Sequence, residues 1–244
     1  MIKSLTLQFG RLPGQRPTRV EATPVTVFVG PNNSGKSKIL QEIHSFCRTG
    51  QRVAGDVLLD AIEFLPFTET TARQRIAHAR LPPPPTGTIQ AGHILVGRGG
   101  QRCSVPEDAL LASLKDPSAH PQQFCPWYLA YNTLFLGGAQ RTTLINEQDA
   151  GDLTAAGTTA FQVLFRDDAK RKEVRRIIHE AFGPYLVIDP THLGKLRLRL
   201  SATAPDTTLI ERGIHKEAVE FHSKALPIER ASDGVRAFAG IIAE

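Results

Sequence analysis

The chain has 244 residues, of which 41% are hydrophobic and 22% charged, with a formal net charge of +5. These proportions exclude a disordered tail and a fibrous repeat, and they suffice for one large domain or two small ones. The three cysteines, odd in number and without C-x-x-C spacing, exclude a disulfide framework or a zinc knuckle. Met1 to Leu5 does not open a secretory leader, and no run approaches the ~18 apolar residues of a membrane span, so a soluble cytoplasmic protein with no membrane partner is expected. The mild positive charge permits contact with a polyanion, but an ordinary soluble surface is the simpler account of it.

In chain order, Ile2 to Phe9 alternates as a strand, and Gly10 to Pro17 is rich in turn residues. Thr18 to Ala22 reads as a second short strand. Val25 to Val29 is β-branched and aromatic, which predicts a buried core strand. It leads into Gly30-Pro31-Asn32-Asn33-Ser34-Gly35-Lys36-Ser37, which fits G-x-x-x-x-G-K-[ST] without mismatch. After Lys36, the apolar residues Ile39, Leu40, Ile43, Phe46 and Cys47 recur at helical spacing. Val57 to Phe67 reads as a strand, Pro82 to Pro85 as a loop tip, His93 to Val105 as a hairpin around Gly99-Gly100, and Pro106 to Lys115 as a helix. Residues 50–130 look like an insertion decorating a nucleotide core.

Further on, Asn132 to Gly138 predicts another buried strand, followed by Gln140-Arg141. That polar pair could face phosphate and metal; a capped loop with a solvated arginine is the simpler account. Ala160 to Phe182 is strongly helical, with Val174, Ile177, Ile178, Ala181 and Phe182 on one face. Lys170, Arg171, Lys172, Arg175 and Arg176 crowd the same stretch, interspersed with acids, which favours a solvated face over a nucleic-acid patch. Leu196 to Leu200 alternates strictly, with its arginines expected outside. Asp206 to Lys216 is polar and loop-like. Ser232 or Asp233 then caps a last helix running through Val235, Phe238, Ile241 and Ile242.

The motif carries a physical mechanism. Gly30 and Gly35 allow backbone angles and close approaches that a side chain blocks. The amides of about Asn33 to Ser37 then form an anion cradle, reinforced by the dipole of the following helix. Lys36 reaches the β- and γ-phosphates, and the Ser37 hydroxyl ligates Mg²⁺. ATP with Mg²⁺ is the expected ligand. An ordinary glycine turn is the plain alternative.

Gly30 to Ser37 resembles the phosphate loop of the ABC-type ATPases of DNA maintenance and phage defence. These include the SMC- and RecF-like proteins and, most closely, the overcoming-lysogenisation-defect (OLD) family. Leu5-Thr6-Leu7-Gln8-Phe9-Gly10 is similar to their first strand, and Leu136-Gly137-Gly138-Ala139-Gln140-Arg141 to the strand leading into their Q-loop. Ala231-Ser232-Asp233-Gly234-Val235 resembles their signature motif. The resemblance implies an α/β P-loop NTPase fold: an ABC-type ATPase head with a mixed β-sheet flanked by helices, a single partial domain over residues 1–244, incomplete at its C-terminus before the Walker B carboxylates. It implies Gln140 as a metal-side residue, and Ser232 and Gly234 as donors to a γ-phosphate held by a second copy. A homodimer closed by ATP follows, with DNA contact or a downstream nuclease domain as further expectations. A chain without Walker B should hydrolyse ATP poorly.

Two other readings stay open. Tyr185-Leu186-Val187-Ile188-Asp189 is the nearest approach to an apolar strand ending in a carboxylate, so Asp189 is a candidate metal ligand of a complete small kinase or other NTPase. Val57-Leu58-Leu59-Asp60 is a second partial match. A nucleotide-gated interaction module that never turns over is the other alternative.

Overall fold

The computed structural model describes residues 1–8, 17–83, 88–98, 101–152 and 157–244. It is a mixed α/β protein whose strand pairings, among the described residues, are antiparallel. The chain groups into two compact units, Met1–Phe135 and Leu136–Glu244.

In the first unit, β1 (Ile2–Leu7) is flanked by β2 (Arg19–Glu21) and β3 (Leu59–Phe64). Leu5 pairs with Val20 on one side and Ile62 on the other. The alternation seen at the N-terminus thus becomes the middle strand of the sheet, and β3, from the stretch read as decoration, is one of its three members. Helix α1 (Lys36–Thr49) closes at Gly50 and buries Ile39, Phe46 and Cys47. Helices α2 (Glu69–Ala79), α3 (Glu107–Lys115) and α4 (Pro121–Trp127) complete the layer. Phe64 meets Phe124 edge-on at 5.1 Å in the core they share. The hairpin expected at residues 93–105 is present as β4 (His93–Arg98) and β5 (Gln101–Pro106); its Gly99-Gly100 tip lies outside the described residues, as do most of the turn-rich residues 10–17 and Pro84-Pro85.

Two expected strands are absent. Val25 to Val29 pairs with no described strand, and Val25, Val27 and Val29 are 78%, 72% and 86% exposed. Pro24 lacks a donor, the Thr26 hydroxyl bonds both the amide and the carbonyl of Thr23, and the Thr23 hydroxyl donates to the Val25 carbonyl, so this backbone is held by local bonds rather than a ladder. Only Phe28 packs against the core. Asn132 to Gly138 is likewise no strand. A 3₁₀ turn at Leu129–Asn132 precedes it, and α5 (Gly138–Thr143) takes its end. The hydroxyl of Thr133 bonds the Leu129 carbonyl, which continues the turn locally.

The second unit is a sheet in the order β6 (Gln148–Asp149), β8 (Lys195–Ser201), β7 (Tyr185–Asp189), with β9 (Leu226–Pro227) also paired to β8. Packed on it are α6 (Ala160–Arg166), α7 (Asp168–Phe182), α8 (Thr208–Arg212), α9 (Lys216–Lys224) and α10 (Asp233–Ala243). The helical stretch 160–182 is two helices, because Asp167 ends one and caps the next, its Oδ1 accepting from the amides of Ala169 and Lys170 at 3.1 Å. The expected loop at residues 206–216 contains α8, capped by Thr207. The basic residues of α7 are not one solvated face. Arg171 is buried and bonds Glu211 at 2.9 Å, and Arg175 bonds the same carboxylate. Of the apolar face expected on α7, Ile178 is fully buried while Phe182 is exposed. No described helix is long and apolar enough to cross a membrane.

Glu42 fixes α1 to the sheet. It falls on the apolar stripe of α1, and its carboxylate is 1% exposed. It accepts the amides of Val57, Leu58 and Leu59 at 3.0, 2.9 and 2.7 Å. Burial opposes its charge, but these three amides and nearby Lys38 overcome burial and hold the carboxyl below its ordinary range. Replacing Glu42 with Ala strands three donors and should cost about 2–4 kcal/mol, read as a lowered midpoint in urea unfolding. Because the folded pKa is depressed, this contribution is present above the ordinary carboxylate pKa and is lost as pH falls through the folded value, so the Ala variant should lose less stability on acidification than the parent.

Candidate nucleotide site at the start of α1

The residues Gly30 to Ser37 form a tight loop that ends in the first turn of α1. Ser34 donates its amide to the Pro31 carbonyl at 3.3 Å, closing the turn. Asn33 lies in the left-handed region at φ 64°, which asparagine tolerates better than most residues. Gly35 follows at φ 85°. A side chain there would also press on Leu58, whose Cδ1 lies 3.0 Å from where a Cβ would be. Glycine at this position therefore answers both a backbone and a packing requirement.

The amides of Gly35, Lys36 and Ser37 have no hydrogen-bond acceptor among the described residues. The first turn of α1 contains no acidic residue, and Gly35 offers no side-chain cap. These are orphan donors at the positive end of a 14-residue helix. Lys36 turns back along the loop, its Nζ donating to the carbonyls of Gly30 at 2.8 Å and Pro31 at 2.5 Å, with Ser34 Oγ at 3.4 Å. It pairs with no carboxylate among the described residues. Pro31, Asn32, Ser34 and Ser37 are exposed. The structure thus brings Gly30 to Ser37 together in one loop.

The other candidates lie elsewhere. Gln140 is exposed within α5, in the second unit, rather than at the end of a buried strand. Ser232 stands at the N-cap position of α10 without a side-chain capping bond, and Gly234 is exposed in its first turn. Asp233 pairs with Arg236 at 3.1 Å. Asp60 is exposed on β3, with Arg52 3.6 Å away. Among the described residues, no group of three or more His, Cys, Asp and Glu side chains is gathered as a metal cluster.

Asp189 ends β7 fully buried, and its oxygens are occupied. Thr191 donates its amide and hydroxyl to Oδ1 at 2.8 and 2.6 Å, while Arg197 and Arg199 reach Oδ2 at 2.9 and 2.5 Å. The arginines of β8, expected outside, are instead held largely inside by this carboxylate. Sequence reading also missed Glu42. The available signal was an acid at i+3 from Ile39 and i−4 from Phe46, on the apolar stripe itself.

No family model, no curated protein and no solved structure matches this chain.

Burial works against the charge on Asp189, but Thr191 and Arg199 overcome it and hold the carboxyl at about 2, below the ordinary 3.8. Its stabilising contribution is therefore complete above about 3.8 and disappears as pH falls towards 2. Asp189→Asn leaves Arg197 and Arg199 facing a neutral amide, and should cost about 3–5 kcal/mol of stability at neutral pH. Calorimetric unfolding checks this, and the parent's steep loss of stability between pH 4 and 2 should be flattened in the variant.

Proposed function

We propose that this chain binds Mg·ATP through Gly30, Pro31, Asn32, Asn33, Ser34, Gly35, Lys36 and Ser37, as the nucleotide-binding part of an ATPase of ABC type within the P-loop NTPases. The observation that carries this reading is the set of orphan amides at the start of α1, with the unpaired cation of Lys36 curled over the same loop. Such donors favour a bound phosphate without a compensating carboxylate nearby. On binding, Lys36 exchanges two carbonyl oxygens for phosphate oxygens, a stronger charge-assisted pairing. The Ser37 hydroxyl stands one residue on, where it serves as the single protein ligand to Mg²⁺, and phosphate oxygens supply others.

The resemblance to the OLD group extends the proposal to a homodimer. Ser232 and Gly234, at the N-terminus of α10 in one copy, would donate to the γ-phosphate held by the other. Gln140 would be a further metal-side contact. The same resemblance would place the action near DNA, in maintenance or phage defence. Turnover is expected to be slow. Glu42 is spent on three amides, and Asp189 on two arginines and a threonine. This favours, as a second reading, a nucleotide-gated interaction module that pairs on ATP without releasing phosphate.

Lys36 bonds only loop carbonyls and a hydroxyl, so Lys36→Ala should fold like the parent. It should weaken Mg·ATP binding by about 2–3 kcal/mol, or roughly a hundredfold, in titration calorimetry. Equal affinity in parent and variant would overturn the proposal. Sizing the parent with and without ATP, with phosphate release measured in parallel, separates an ATPase from a gated module.

A further inference from the structure

We infer that Glu42 and Leu58 are positioning residues of the phosphate loop. From outside the loop they hold the amides at the start of α1 in their binding geometry, and a bound phosphate in turn steadies the buried bonds between Glu42 and residues 57–59. The inference rests on the nucleotide reading of the loop proposed above. Glu42 stands six residues beyond Lys36. That is about 9 Å along the helix axis, too far to touch a phosphate held by the first-turn amides. Its effect on the ligand has to pass through other residues.

Leu58 is the link. Its amide donates to Glu42 Oε2 at 2.9 Å, and its carbonyl accepts the Gln8 amide at 2.9 Å. Its side chain packs against the loop, with Cδ1 3.0 Å from where a Cβ on Gly35 would stand. On either side, Val57 and Leu59 donate to the same carboxylate at 3.0 and 2.7 Å, and Gln8 Nε2 reaches the Leu59 carbonyl at 3.2 Å. Glu42 and residues 57–59 thus form a clamp whose backbone is pinned from α1 and from Gln8, while the Leu58 side chain bears on Gly35. Gly35 occupies the N-cap position without a side-chain capping bond. A glycine there leaves the helix start free to shift, and Leu58 supplies the support that its own side chain does not.

The empty loop has a second support, which the ligand takes away. Lys36 bonds the carbonyls of Gly30 and Pro31 across the loop. When it turns to phosphate oxygens, those bonds are given up. Gly35 to Ser37 then depend on the helix, on the turn bond from Ser34 to Pro31, and on Leu58. The clamp therefore contributes more to the filled loop than to the empty one, and such a difference between two states is what changes affinity. Coupling is reciprocal, so phosphate in the loop steadies residues 57–59 by the same free energy. Plain electrostatics runs the other way. A carboxylate behind an anion site repels the ligand, so neutralising Glu42 with no loss of positioning would tighten binding. The sign of the effect separates positioning from charge.

The test measures Mg·ATP binding by titration calorimetry for the full chain and its variants Glu42→Gln, Leu58→Ala, Lys36→Ala and Val105→Ala, at a temperature where amide spectra show each one folded. Val105 is buried in β5, outside the clamp, so its truncation lowers stability alone and serves as the control. Glu42→Gln and Leu58→Ala should each weaken binding about fivefold or more, while Val105→Ala binds like the parent. Mg·ATP should also slow hydrogen exchange at the amides of Val57, Leu58 and Leu59 in the parent. If Glu42→Gln does not fold, Leu58→Ala and the exchange rates decide. Binding by Glu42→Gln as tight as the parent's or tighter, an equal loss in Val105→Ala, or unchanged exchange at residues 57–59 overturns the inference. Weakening by Lys36→Ala but not by Glu42→Gln counts against the clamp and leaves the nucleotide reading standing. Equal binding by parent and Lys36→Ala, or none by the parent, overturns that reading and the inference with it.

Discussion

The carboxylate of Glu42 determines where the start of α1 points. Helix α1 lies against β3, and its apolar stripe alone would let it slide along that strand, because hydrophobic contact is not directional. Three amides converging on one buried carboxylate remove that freedom. The same segment supplies Leu58, which fills the space left by the missing side chain of Gly35. The loop is therefore held at both ends of its helical turn by one short stretch, residues 57–59. Movement at that stretch would be felt first by Gly35 and Lys36, the residues whose amides carry the proposed site.

The second unit uses the same device with different partners. Asp189 gathers Arg197 and Arg199 from the neighbouring strand, and Glu211 gathers Arg171 and Arg175 from α7. Buried His222 links the two clusters. Its Nε2 bonds the Glu211 carbonyl at 2.9 Å, and its ring feels the charge of Asp189. Burial dominates and pushes this histidine below its ordinary pKa, so it is held neutral although two carboxylates lie nearby. Buried ion pairs of this kind add little net stability over a hydrophobic filling, but breaking one is costly. They specify which strand faces which helix in a sheet whose apolar residues alternate too regularly to set a register by themselves.

Periodicity made much of this legible. The alternation of Ile2 to Leu7 and of Leu196 to Leu200, the two hairpin arms within His93 to Val105, and the stripe of α1 each report a local geometry that survives in the fold. Val25 to Val29 and Thr133 to Leu136 show the limit of such signals. An apolar run reports a tendency to be covered, whereas a strand also needs a partner edge, and that depends on residues far away in sequence. Both edges of β1 are taken by β2 and β3, and Thr23, Thr26 and Thr133 satisfy the neighbouring backbone locally. The charged hubs were hidden for the opposite reason. Glu42, Arg171 and Glu211 look like surface residues by type, and only their positions on buried faces distinguish them. The loop was readable because its chemistry is local: two glycines, a lysine and a helix start within eight residues.

The proposed site at the start of α1 combines two kinds of donor. The amides of Gly35 to Ser37 take their direction from the helix and carry only partial charge, so their effect is short-ranged and geometric. Lys36 adds a full charge, whose attraction extends further and depends on ionic strength. An amide cradle selects the shape of a compact phosphate chain, and the ammonium strengthens the pairing without fixing its direction. Glu42 gives the cradle its rigidity, because it holds α1 against residues 57–59.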